Sequence, residues 1–203
     1  MNSFKVRKTL FIYYGENDET GRAVDVHEVS HSGYGSTIIG HCRKRDAKRT
    51  FRIDQITYCL DPATGRNVPD VLQHLRNLYE GTPEHTLDLL YRNHYEALQI
   101  LLYVGKADGQ LRAEERKVIV AACKVMTGDV RITDDLANAL IDAVALPGLQ
   151  GFKVAVGKVA KRGNPDAMRR LMIACRTIVN TQKTVAAAEQ EALDYMAKRF
   201  HLD

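Results

Sequence analysis

The sequence has no paired cysteines. Cys42, Cys59, Cys123 and Cys175 lie far apart, and none forms a C-x-x-C spacing. That excludes the common structural-zinc and dithiol patterns and a dense disulfide framework, so reduced, buried thiols are expected. It also lacks any apolar run near the roughly 20 residues that a membrane helix needs. The opening "MNSFKVRKTLFIYYGEND" is too short in its apolar part for a secretory leader. A cytoplasmic protein with no membrane partner is expected. No G-x-S-x-G elbow, glycine-rich phosphate loop or Cys–His signature occurs. "GYGSTIIG" feeds a strand rather than a helix start, which makes it a poor phosphate cradle. With no nucleophile and base to name, a hydrolase is the least favoured reading, and the chain is expected not to be an enzyme. Nor does charge of one sign dominate. The 29 Lys and Arg against 25 Asp and Glu leave a net charge of +4, so the distribution of charge carries more information than its sum.

What is present is an ordinary globular composition, 45% hydrophobic and 27% charged over 203 residues, enough for one large or two small domains. The periodicity changes near residue 62. Before it, "TLFIYY", "AVDVHEV", "STIIGHC" and "RTFRIDQITYCL" alternate or form short β-branched runs, separated by "GENDETG", "HSGYG" and "KRDAK". That pattern predicts four or five short antiparallel strands. In so small a unit, closure into a barrel would remove exposed edges. After "DPATGRNVPD" the period becomes helical. "TLDLLYRNHYEALQILLYV" places Leu87, Leu90, Tyr91, His94, Tyr95, Leu98, Leu101 and Leu102 on one face, which makes His94 a core residue. Asn164 and Pro165 mark the start of another helix, and "TDDL" opens a third. Six or seven helices are expected after residue 67.

Charge is concentrated in "GHCRKRDAKRTFRIDQI". Between His41 and Arg52, the six cations Arg43, Lys44, Arg45, Lys48, Arg49 and Arg52 face only Asp46. Four of the six are arginines, whose planar fork suits phosphate and carboxylate. Arg49, Phe51 and Ile53 should share one strand face, and Arg52 and Asp54 the other, where a surface pair between them would contribute little stability. The simpler alternative is a solvated hairpin whose cations guard a sheet edge. A second basic set, Lys153, Lys158, Lys161, Arg162, Arg169 and Arg170, reads as the solvated face of helices whose buried stripe includes Phe152, Val156 and Val159.

The helical half holds a weak internal repeat. "ADGQLRAEERKVI" (107–119) aligns with "TQKTVAAAEQEAL" (181–193), and Glu115 falls on Glu189. Asp108 and Glu115 do not make a calcium loop, because the alternating oxygen ligands are missing. The local reading is capping, with Glu115 reaching back to free N–H groups at the helix start and Arg112 standing where a Ser or Thr would complete the box.

"VGKADGQLRAEERKVIVAACKVMTGD" resembles the "aDG…E" signature of the tellurite-resistance TerB-like family. "IVNTQKTVAAAEQEALDYMAKRFHL" is similar to a second copy in which Gln182 and Lys183 replace Asp–Gly. That resemblance implies an all-helical domain, and Asp108, Glu115 and Glu189 as metal or capping acids. "FIYYGENDETGRAVDVHEV", "IIGHCRKR" and "RTFRIDQI" resemble the WYL domain, a small SH3-like barrel of bacterial regulators that sense a ligand. Ser36, Thr37 and Ile38 stand at its eponymous positions, and Gln55 replaces its final arginine. The resemblance implies an anion site carried by His41, Arg43, Arg45, Arg49 and Arg52. Regulators of that kind usually place a helix-turn-helix upstream. Here the sequence opens on the barrel, so a transcription factor is not expected.

The expected fold is therefore α+β in two domains: a WYL-like SH3-type β-barrel (1–62), a linker with a short helix (63–84) and a TerB-like helical bundle (85–203). The expected function is a non-catalytic bacterial regulator. Its barrel would bind a nucleotide or nucleic acid, and its bundle would offer a protein-partner or homodimer surface. No cofactor is expected, a divalent metal at the acidic loop being the weaker option. The alternative is an interaction scaffold of a stress-response or phage-defence system with no ligand of its own.

Overall fold

In the computed structural model, residues 3–15, 20–107, 109–181 and 185–202 are described. Strands β1 (Ser3–Tyr14), β2 (Arg22–Ser32), β3 (Gly35–Cys42), β4 (Ala47–Arg52), β5 (Ile56–Asp61) and β6 (Arg66–Asn67) form one antiparallel sheet in the order β4-β3-β2-β1-β5-β6. Helices α1 (Val71–Glu80), α2 (Pro83–Asn93), α3 (Tyr95–Gly105), α4 (Ala113–Thr127), α5 (Asp134–Ala143), α6 (Leu149–Lys161), α7 (Pro165–Val179) and α8 (Ala187–Phe200) follow. The fold class is α+β, as the change of period predicts. The chain divides into two compact units, Met1–Thr82 and Pro83–Asp203.

The sheet is not the closed barrel expected. Its edges are β4 and β6, and no ladder joins them among the described residues. Closure would need β4 to carry its ladder on to β5 or β6, and the chain leaves extended geometry after Arg52. Ile53–Gln55 form a 3-10 turn that carries the chain across to β1, where β5 pairs through Ile12↔Cys59 and Tyr13↔Tyr58. The sheet is nevertheless curled. Phe51 of β4 and Tyr14 of β1 are three strand steps apart, about 14 Å in a flat sheet, yet their ring centroids are 5.2 Å apart. Register shifts at Lys5/Lys8 on β1 and Val26/Glu28 on β2 supply local bends. Gly40 of β3 lies against the second of these, where a Cβ would come 2.5 Å from the Asp25 carbonyl oxygen.

Alternation decides the faces. Leu10, Ile12, Val24, Val26, Ile38, Cys42 and Phe51 point inward, and Val68, Val71 and Leu75 pack with them. The stretch 63–84 thus contains a helix, α1, that completes the sheet's core. Asp70 caps it through the Gln73 N–H at 2.8 Å.

In the helical unit the expected long stripe is broken. The chain leaves helical geometry at His94 (φ −128°, ψ 24°), which separates α2 from α3. His94 is exposed rather than in the core, and Tyr91 is exposed as well. Leu87, Leu90, Leu98, Leu101 and Leu102 are buried as their spacing predicts. Asn164 caps α7, accepting from the Ala167 N–H at 3.0 Å with Pro165 in the first turn, and Thr133 caps α5. Tyr103 and Phe152 stack at 4.3 Å between α3 and α6.

Candidate functional site

The basic run forms the β3–β4 hairpin. Cys42 pairs with Ala47, and the turn is closed by the Arg45 N–H on the Cys42 carbonyl at 3.1 Å, with Asp46 left-handed at φ 46°. Residues paired across an antiparallel ladder point to the same side. Thr9, Asp25, His41 and Lys48 are successive partners across β1, β2, β3 and β4, so they form one row on the outer face.

Asp25 is the hub of that row. It accepts two bonds from Arg43, Nε at 2.8 Å and a terminal nitrogen at 2.8 Å, and one from the Thr9 hydroxyl at 2.7 Å. The Arg43 guanidinium, then the Thr9 hydroxyl, hold its carboxyl down at about 2. His41 Nε2 lies 3.1 Å from Asp46. Arg52 forks onto Asp54 at 3.0 and 2.5 Å and holds that carboxyl below its ordinary range. Lys44 bonds the Thr20 hydroxyl.

The five residues proposed from sequence are therefore not one cluster. His41 and Arg43 are brought together around Asp25. Arg52 lies on the same face but about 14 Å along β4 from Lys48. Arg49 pairs with Gly40, whose side is the inner one, so it projects to the opposite face from Lys48 and Arg52. Arg45 sits in the turn. Arg43 and Arg52 are matched by acids, whereas Lys44, Arg45, Lys48 and Arg49 have no acidic partner among the described residues.

Sequence reasoning missed Asp25 and Thr9, because their partners stand 16 and 18 positions away. It also missed an aromatic strip on the outer face. Phe11 and Tyr13 meet edge-on at 5.7 Å, and Tyr13 and Tyr58 at 5.8 Å. The i, i+2 spacing of Thr9, Phe11 and Tyr13 in "TLFIYY" held half of that signal. The pairing with β5 held the rest.

The acids of the helical unit are placed in part. Glu115 and Glu189 are 0% and 1% exposed. Each occupies the third helical position of its helix and accepts the backbone N–H at the cap, from Arg112 at 2.6 Å and from Ala186 at 2.9 Å. Neither an arginine nor an alanine side chain can accept in return, so only the glutamate half of a capping box exists. Asp108 and residues 182–184 lie outside the described residues. Among the described residues no group of three or more His, Cys, Asp or Glu could hold a metal ion. No helix there is long and apolar enough to cross a membrane. The second basic set is largely engaged on its surface. Lys158 and Arg162 share Glu96 at 3.3 and 2.6 Å, and Lys153 stands over the Tyr195 ring.

Residues 4–59 match the family model of the WYL domain, from the start of β1 into β5. The match includes the whole cationic hairpin and none of the helical unit. No curated protein and no solved structure shows a significant match to the chain.

Proposed function

We propose that the sheet unit is a WYL-type regulatory module that holds a nucleotide or single-stranded nucleic acid by its phosphates, and that the protein is not an enzyme. The observation that supports this is the coincidence of the WYL match with a hairpin whose Lys44, Arg45, Lys48 and Arg49 have no acidic partner among the described residues. Lys48 and Arg49 project to opposite faces of β4, and what they share is its open edge. A phosphate backbone running along that edge would meet both, with Arg45 at the turn end. In this reading His41, Arg43 and Arg52 shape the surface, because an acid already stands against each of them: Asp46, Asp25 and Asp54. Contacts of this kind carry little sequence preference and depend steeply on salt.

The helical unit, in the same proposal, is TerB-like and serves partner or dimer contacts. Glu115 and Glu189 act as caps rather than metal ligands. The test is titration of the full chain with nucleotides and short oligonucleotides over a salt series. Binding should weaken log-linearly with salt. Arg45→Gln, Lys48→Gln and Arg49→Gln should each reduce the slope by about 1. Absence of binding at low salt would sink the proposal. The ion pairs of Arg43 and Arg52 favour the second reading, an interaction scaffold whose basic edge only prevents strand pairing. On that reading the three substitutions leave every binding property unchanged.

A further inference from the structure

Helix α4 is apolar on two sides. Ile119, Val120 and Cys123 are buried in the core of the helical unit. Val118, Ala121, Ala122, Val125 and Met126 form a second stripe at helical spacing, and this one borders a cavity of about 610 Å³. Soluble helices normally turn charged residues to such a side. Here only Lys124 interrupts "VIVAACKVM" (118–126), and it reaches away to Asp134 at 2.7 Å. The opposite wall is α7, with Ala167, Leu171 and Ala174, and α3 contributes Ala97 and Leu101. Alanines on three helices leave the space empty, since a larger side chain at any of them would enter it. Val125 and Ile173 form the lips, and each is 63% exposed. The volume falls within the range of about 300–1,000 Å³ typical of small-molecule sites.

Polarity is segregated along the cavity. One end is lined by Asn93, His94, Arg162 and Asn164, where the starts of α3 and α7 meet; Arg162 donates to the Asn93 carbonyl at 3.2 Å. Arg170 stands further along α7. Beyond it Thr177 is the polar lining residue, and its hydroxyl is spent on the Ile173 carbonyl at 2.9 Å. Arg162 is already committed to Glu96. Arg170 has no acidic partner among the described residues.

We propose that this cavity binds a single-chain fatty acid. Its hydrocarbon tail would lie between α4 and α7, and its carboxylate on the Arg170 fork. One unmatched guanidinium fits one carboxylate. Arg170 stands midway along the α7 wall, and Leu171, Ile173 and Ala174 beside and beyond it leave an apolar stretch for the tail. An acidic amphipathic helix would instead need cations spread along both lips, which are Val125 and Ile173. A second copy of this face would bring another unmatched Arg170 to it and no carboxylate.

The experiment is calorimetric titration of the full chain with laurate below its aggregation threshold. Dodecanol, dodecyl phosphate and an acidic amphipathic peptide serve as separate arms. Laurate should bind one to one, and dodecanol at least about tenfold more weakly, the loss expected for one charge-assisted bond. Arg170→Gln should cost laurate a similar factor. Val125→Glu, at an exposed lip where folding is not at stake, should also lower affinity by about tenfold or more and leave oligonucleotide titration unchanged. The proposal is overturned if laurate does not bind, if dodecanol or dodecyl phosphate binds better, if only the peptide binds, or if neither substitution matters.

Discussion

At the residue scale, Asp25 carries the clearest signature. Its carboxylate is surrounded by donors that exist only when β1, β2 and the β3–β4 turn are assembled, which is why its folded value falls to about 2 from 3.8. A depressed carboxyl contributes stability that is fully present above its unfolded value and is lost as pH falls through its folded value. The acid window is therefore between about pH 4 and pH 2. Carbon-detected NMR titration of the Asp25 carboxyl should give a midpoint near the lower figure. Arg43→Gln should move that midpoint upward, and Thr9→Val should move it by less, since the arginine is the larger cause. An unshifted midpoint in Arg43→Gln would mean that the ion pair is not formed in solution. The same pairing explains why Arg43, an obvious anion ligand by residue type, is less available to a guest than Arg45 or Arg49.

At the element scale, the two helix starts marked by Glu115 and Glu189 are the most informative. The repeat was legible because one glutamate recurs at one offset from a helix-forming run. Its burial was not legible, since an acid in a polar loop sequence reads as exposed. Both carboxylates are covered by packing and hold a cap N–H that would otherwise lack a partner inside the helix. Glu115→Ala and Glu189→Ala should each destabilise the helical unit by about 1–2 kcal/mol, through the lost cap and the orphaned donor. Chemical denaturation monitored by far-UV circular dichroism measures this. A cost near zero for both would mean that the bond is replaced by water. The α2–α3 break at His94 is the corresponding failure of sequence reading. Periodicity alone ran through it, because the residues on either side keep step while the backbone between them does not.

At the scale of the whole molecule, the boundary after Thr82 assigns α1 to the sheet. Val68, Val71 and Leu75 are 7%, 5% and 0% exposed in the same core as the strands. Each such side chain contributes about 1.5–3 kcal/mol of burial, a large share of the stability of so small a unit. A fragment of residues 1–82 should melt cooperatively, whereas residues 1–62 alone should show a broadened, lower transition or none. Equal melting of the two would show that α1 is dispensable.

The sequence by itself determined the α+β class, the place where strands give way to helices, the starts of α5 and α7, and the cationic character of the β3–β4 hairpin. All of these depend on neighbours within a few positions, through periodicity, turn chemistry and local hydrogen bonds. Only the tertiary structure decided that the sheet curls without closing, that Arg43 is matched by Asp25 while Arg45 and Arg49 have no acidic partner among the described residues, and that α4 presents a second apolar side to a cavity. Those outcomes depend on which residues meet across strands and between helices, and a contact between distant positions leaves no mark on the spacing of either partner.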